Sequence, residues 1–108
     1  MEKLKADATT FDELIERSHE RLVVVDFYGP NCPNCEEFER ALPDLMAALS
    51  DADADLIKMD AYAHPDIAGR YGIFGVPTFV LIRNGEVLGK MSRFYGADYW
   101  KQVVLEHL

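Results

Sequence analysis

Cysteine is scarce in this chain, with two among 108 residues. A small secreted domain that replaces a core with covalent bridges carries many more, and a loop closed across two intervening residues restrains the unfolded chain little. A disulfide scaffold is therefore excluded, and the two thiols read as chemical groups. Basic residues are also few, 11 against 19 acidic ones, for a formal net charge of -8 and a pI near 4.7. No stripe of lysine and arginine exists to neutralise phosphates, which disfavours nucleic acid and anionic membranes as partners. No run approaches the roughly 18 apolar residues that span a bilayer, and the opening MEKLKADATT lacks the apolar segment of a secretory leader. The expectation is a soluble, cytoplasmic protein whose thiols are kept reduced. His19, His64 and His107 are scattered, so the cysteines have no companions to complete a four-ligand zinc site. The aspartates of residues 50–55, SDADAD, open like a calcium loop, but Leu56 stands where such a loop needs glycine and Tyr62 where it needs glutamate. That segment is expected to be a solvated turn. What remains is a chain 49% hydrophobic and 28% charged, the makeup of one domain, residues 1–108, with one core.

The pattern along the chain alternates strand and helix. KLKA near the N-terminus is a candidate edge strand. Thr10 followed by Glu13 is a capping-box pattern for an amphipathic helix over about residues 10–20, with Phe11, Leu14, Ile15 and Leu22 as apolar positions. LVVVDFY is a nearly continuous apolar run and reads as a central strand buried on both faces. From Cys35, the residues Phe38, Leu42, Leu45, Met46 and Leu49 recur at helical spacing, in a helix beginning at or just before Pro33. Pro43, in its middle, removes a hydrogen bond and crowds the Glu39 carbonyl, which predicts a kink. LIKMDA is a further strand and HPDIAGRYG a short helix. Two more strands follow, joined at Asn84-Gly85, the strongest short hairpin signal. GADYWKQVVLEHL closes the chain as a helix with Asp98 a candidate cap and Trp100, Val103, Val104 and Leu108 facing inward. The order β-α-β-α-β-α-β-β-α implies an α/β fold, a central mixed sheet of five strands flanked by four helices.

This order puts Cys32 and Cys35 at the carboxyl end of the central strand and the N-terminus of the long helix, where α/β proteins tend to place their chemistry. A helix N-terminus offers partial positive charge and free amide donors, so the Cys32 thiolate is stabilised there. Cys35, one turn further into the helix, is expected to be the protected partner. Such a pair can attack a disulfide through Cys32, form a mixed disulfide, and release the reduced substrate when Cys35 attacks Cys32. The competing reading is two cysteines that merely fill space. Glu36, four residues after Cys32, opposes the helix terminus by like-charge repulsion, so a moderately activated Cys32 is expected. Asp26, inside the apolar run, is expected to have a raised pKa and to serve as a general base, unless it only ends its strand pointing to water.

VVVDFYGPNCPNC, YGIFGVPTFVLIRNGEV and the element order together resemble the thioredoxin family over essentially the whole chain. The resemblance implies the thioredoxin fold and a thiol-disulfide oxidoreductase that reduces protein disulfides. It also implies a cis Pro77 lying against the cysteines, with the backbone of Val76 free to pair with an extended substrate. By the same resemblance Asp26 is the buried carboxylate that helps move the Cys35 proton, and Lys58 is its electrostatic partner. Tyr28, Pro30, Asn31, Pro33, Phe74, Gly75, Val76 and Arg93 fall on the implied substrate groove. No cofactor is implied beyond the reversible Cys32–Cys35 disulfide; the implied partners are disulfide-containing proteins and a thioredoxin-reductase-type donor, acting on a monomer. The chain departs from the family pattern in several places. Tyr28 and Asn31 stand where tryptophans are typical, and Pro33-Asn34 where Gly-Pro separates the cysteines. Glu36-Glu37 stands where a lysine usually follows, Arg40 where proline is usual, and Arg93 where glycine is common. Cys-Pro-x-Cys is also similar to glutaredoxins, so a glutathione-dependent enzyme is the alternative, ahead of a non-catalytic interaction module, which usually loses a cysteine.

Overall fold

Alternation along one strand organises the molecule. In the computed structural model, which describes all 108 residues, β2 (Leu22–Tyr28) runs through the centre of the sheet. Successive strand side chains point to opposite faces. Leu22 and Val24 therefore join a core cluster with Phe38, Leu42, Trp100 and Val104, whereas Val23, Val25 and Phe27 join one with Phe11 and Ile67. Helices α2 (Pro33–Ala48) and α4 (Ala97–Glu106) cover the first face; α1 (Phe11–Ile15) and α3 (Pro65–Arg70) cover the second. The first cluster is centred on Trp100, fully buried, whose ring lies 5.2 Å from Phe38 and 5.8 Å from Phe79 between centroids. Truncating a side chain of that size in a core costs about 3–5 kcal/mol.

With β1 (Glu2–Lys5), β3 (Ala54–Asp60), β4 (Thr78–Arg83) and β5 (Glu86–Met91), the sheet has the order β1-β3-β2-β4-β5. The first three of these are mutually parallel, β4 pairs antiparallel with β2, and β5 pairs antiparallel with β4. This is the mixed five-stranded sheet with four helices expected from the residue pattern. The β4–β5 turn carries positive φ at both Asn84 (53°) and Gly85 (75°), the conformation that a two-residue hairpin matching strand twist requires.

Several local expectations are corrected. The first helix keeps α geometry only to Ile15 and tightens into a 3₁₀ turn over Glu16–His19. That turn seats the fully buried Ser18 under the hairpin, where its carbonyl accepts from Asn84 N–H at 2.8 Å and its hydroxyl from Gly85 N–H at 3.0 Å. No capping box forms. Thr10 makes no side-chain cap, because its hydroxyl and amide both donate to Asp7 Oδ1. Leu22 belongs to β2, not to the first helix. Gly96, not Asp98, caps α4, and Leu108 is exposed. The SDADAD segment is only partly a turn, since Ala54 and Asp55 open β3 and Asp55 is fully buried.

Candidate active site

The chain leaves β2 at Tyr28, turns through residues 29–31, and enters α2 with Cys32 as the N-cap and Pro33 as the first helical residue. Asn31 takes a left-handed φ of 52° in that turn, a conformation asparagine tolerates better than most residues. Cys32 is bonded to Cys35, with Cα atoms 5.2 Å apart. The Cys35 N–H donates to Cys32 Sγ at 3.2 Å, so a first-turn amide is aimed at the sulfur that would carry charge in the reduced state. The expected difference in exposure is absent: both cysteines are 8% exposed. What distinguishes them is position, since Cys32 holds the cap and receives the amide.

Across from the disulfide, the Val76–Pro77 peptide bond is cis. Cys32 Sγ lies 3.6 Å from the Val76 carbonyl oxygen, a contact that a reduced Cys32 S–H could turn into a weak hydrogen bond. Pro77 is buried. The segment before it is braced by Thr78, whose hydroxyl donates to the Gly75 carbonyl at 2.8 Å.

Asp26 and Lys58 are register partners across β2 and β3, and alternation places both on the face under α2. Asp26 is 1% exposed. Its Oδ2 lies 3.2 Å from Lys58 Nζ, an ion pair without hydrogen-bond geometry, and neither carboxylate oxygen accepts a hydrogen bond. Burial raises the Asp26 pKa, and the Lys58 charge opposes that rise only in part. The carboxyl therefore points into the protein and not to water. Lys58 also contacts Glu39 of α2, and its Nζ sits 4.9 Å from the centre of the Tyr28 ring. Burial pushes the Tyr28 hydroxyl up, with the Asp60 and Asp26 charges adding to the effect.

The expected groove residues divide among three places. Tyr28, Pro30, Asn31 and Cys32 line an open depression of about 490 Å³ that also contains Glu36, Glu39 and Lys58. Phe74, Gly75 and Val76 line a second one of about 240 Å³, together with Tyr62; Phe74 is fully exposed. Pro33 and Arg93 line neither. Arg93 is on the exposed link between β5 and α4, its guanidinium 5.6 Å from the Tyr95 ring centre. A residue that sequence reasoning passed over holds this link to the dithiol. Asn34 Oδ1 accepts from Phe94 N–H at 2.8 Å, and Asn34 Nδ2 donates to Phe94 O at 3.1 Å. Glu37 also accepts from Nδ2, at 3.0 Å. The amide between the two cysteines thus pairs with a peptide unit as a neighbouring strand would.

No group of three or more His, Cys, Asp or Glu side chains is arranged to hold a metal ion, and no helix is long and apolar enough to cross a membrane. A bonded Cys-x-x-Cys at a helix N-terminus, faced by a cis proline and backed by a buried aspartate, on this sheet, is an arrangement suited to thiol-disulfide exchange.

The family model for thioredoxin matches residues 2–105, and the chain belongs to the thioredoxin family. It is similar to the chloroplastic thioredoxin Y of Oryza sativa subsp. japonica, 37% identical over 93 residues, covering 86% of this chain and 52% of that protein. It is also similar to glutaredoxin 3 of Danio rerio, 33% identical over 98 residues, covering 91% of this chain and 29% of the relative. The chain thus spans about half the length of the first of these and under a third of the second. Among solved structures, a mutant thioredoxin from Halobacterium salinarum NRC-1 superposes with a TM-score of 0.80 at 28% identity, over 97% of this chain and 89% of that one.

Proposed function

We propose that this protein reduces protein disulfides through Cys32 and Cys35. The observation that carries the reading is Cys32 at the N-cap of α2, its sulfur 3.6 Å from the carbonyl of Val76 beside the cis proline. A substrate strand pairing with the Val76 backbone would bring its own sulfur beside Cys32. The Cys32 thiolate attacks that sulfur, the substrate's second sulfur leaves as a thiolate, and a mixed disulfide remains. Cys35 then gives its proton to Asp26 and attacks Cys32 Sγ, so the substrate departs with both sulfurs reduced and the protein keeps the disulfide. Two electrons pass from the dithiol to the substrate, and a thioredoxin-reductase-type donor returns them. We place this cycle in the cytoplasm, acting on a monomer.

A second reading, reduction by glutathione, is favoured by the similarity to a glutaredoxin and by the Cys-Pro-x-Cys order. One assay separates the two. The oxidised protein is offered a thioredoxin reductase with NADPH, or glutathione, and dithiol formation is followed with insulin as substrate. Rapid turnover with the reductase is expected; turnover with glutathione alone would reject the first reading.

A further inference from the structure

Lys58 serves two carboxylates at once. Asp26 lies beside it in the sheet, buried, and Glu39 reaches it from α2, half-exposed at the wall of the depression next to Cys35. Both contacts are ion pairs, and neither Asp26 oxygen accepts a hydrogen bond. An ammonium has three donors, enough for two carboxylates, but only one position, and Glu39 draws it toward α2 and away from hydrogen-bond geometry with Asp26.

The other titratable groups facing this pair do not repair the deficit. Lys5 occupies the same sheet rung as Lys58, and Lys3 lies two residues before it. Both are exposed and neither forms an ion pair with Asp26 or Glu39. Tyr28 and Asp60 pair two rungs on, on the same face; Cys32, Cys35 and Glu36 come from α2. On the far side of Asp26 its register partner in β4 is Phe79, which carries no charge.

We propose that Glu39 is a positioning residue for the proton step of the dithiol: by engaging the Lys58 ammonium it keeps Asp26 under-neutralised, and so basic enough to accept the Cys35 proton. The inference rests on the reading of Asp26 as that acceptor. In the step concerned, the Cys35 S–H bond breaks, the proton goes to an Asp26 oxygen and the electron pair stays on sulfur. The Cys35–Cys32 bond then forms as the bond from Cys32 to the substrate sulfur breaks. Glu39 exchanges no proton and touches no reacting atom. It sets how strongly the base is held in its charged form.

With Glu39→Gln the ammonium is released to Asp26, which becomes more fully ionised at low pH and a weaker base at high pH. Single-turnover reduction of insulin disulfides, followed from about pH 5 to pH 9, reads this directly. The variant is expected to run roughly threefold faster than wild type near pH 6 and slower than wild type near pH 8, so that the two profiles cross. Glu39→Asp is expected to restore much of the wild-type profile. In a Lys58→Gln background, Glu39→Gln is expected to change the profile much less. If Asp26→Asn leaves the acid limb of wild type intact, the assignment of Asp26 as proton acceptor fails. If Asp26→Asn removes that limb while Glu39→Gln overlays wild type, the acceptor stands and the role of Glu39 is wrong. An equal shift with and without Lys58 would mean that Glu39 acts by its own charge, which overturns positioning through Lys58.

Discussion

Two buried aspartates occupy opposite ends of the same pair of strands, and their surroundings separate structure from chemistry. Asp55, near the start of β3, is fully buried and met by two guanidiniums, Arg17 at 2.6 Å and Arg21 at 3.6 Å. Arg17 is itself held charged, mainly by its hydrogen bond to Asp55, and also contacts Glu2. Asp26, near the end of β2, is as deeply buried and has one ammonium, shared with Glu39. The first carboxylate is tied into β1 and the 3₁₀ turn. The second is left short of partners at the end of the sheet that carries the dithiol. Residue type and burial are alike at the two ends and pairing is not: Asp55 leaves only Oδ1 without a hydrogen bond, whereas Asp26 leaves both oxygens.

The largest effect is expected at the structural end. Asp55→Asn removes the buried partner of two arginines, and we expect a stability loss of about 2–4 kcal/mol, limited because both arginines reach solvent. Denaturant unfolding measures it, and the single-turnover rate of the protein that remains folded is expected to be unchanged.

Asp26→Asn is expected to act in the opposite sense, stabilising by about 1–2 kcal/mol at neutral pH while slowing release from the mixed disulfide. The sign follows from linkage. Burial raises the Asp26 pKa in the folded state, so between the unfolded and folded values the native protein binds more protons than the unfolded chain. Wild-type stability then falls as pH rises through that window and levels off above the folded value. Thermal melts of wild type and Asp26→Asn are expected to converge at acid pH and separate as pH rises; parallel curves would place Asp26 in an ordinary environment.

Asn34→Ala removes two hydrogen bonds to Phe94 and is expected to cost about 1–2 kcal/mol. Faster hydrogen exchange at the Phe94 amide is the specific reading, with the Asp55 end unaffected. Arg93→Gly is expected to have the smallest effect, a rise of about two- to fivefold in kcat/KM for insulin, with stability unchanged, because it removes a long cation from the exposed link that Asn34 holds beside the dithiol. Unchanged kinetics would mean that Arg93 points away from bound substrate.

Much of this arrangement is legible in the residues. The valine run of β2, Pro33 at the start of α2, and the thiols between them place the dithiol without reference to tertiary structure, and Asn84-Gly85 places the hairpin. Strand parity, once the register is known, puts Asp26 and Lys58 on one face. What escapes the sequence is contact between distant segments. Asn34 imitates a strand toward a residue 60 positions away, and no periodicity marks that role. Ser18 looks like an ordinary helical serine until the hairpin lands on it. Glu39 reads as a solvated face because its partner lies in β3. Asp55, inside an acidic run, reads as loop because its two arginines come from residues 17 and 21. Cysteine exposure also escapes it, since Cys32 meets the Val76 carbonyl from 44 positions away.

The central claim is that Cys32 attacks and Cys35 resolves, and trapping tests it most directly. Cys35→Ser and Cys32→Ser proteins are each mixed with a disulfide-containing substrate, and the covalent adduct is located by mass spectrometry under non-reducing conditions. The account predicts a stable mixed disulfide through Cys32 in Cys35→Ser and little adduct in Cys32→Ser. An adduct formed chiefly through Cys35, in the Cys32→Ser protein, would contradict it.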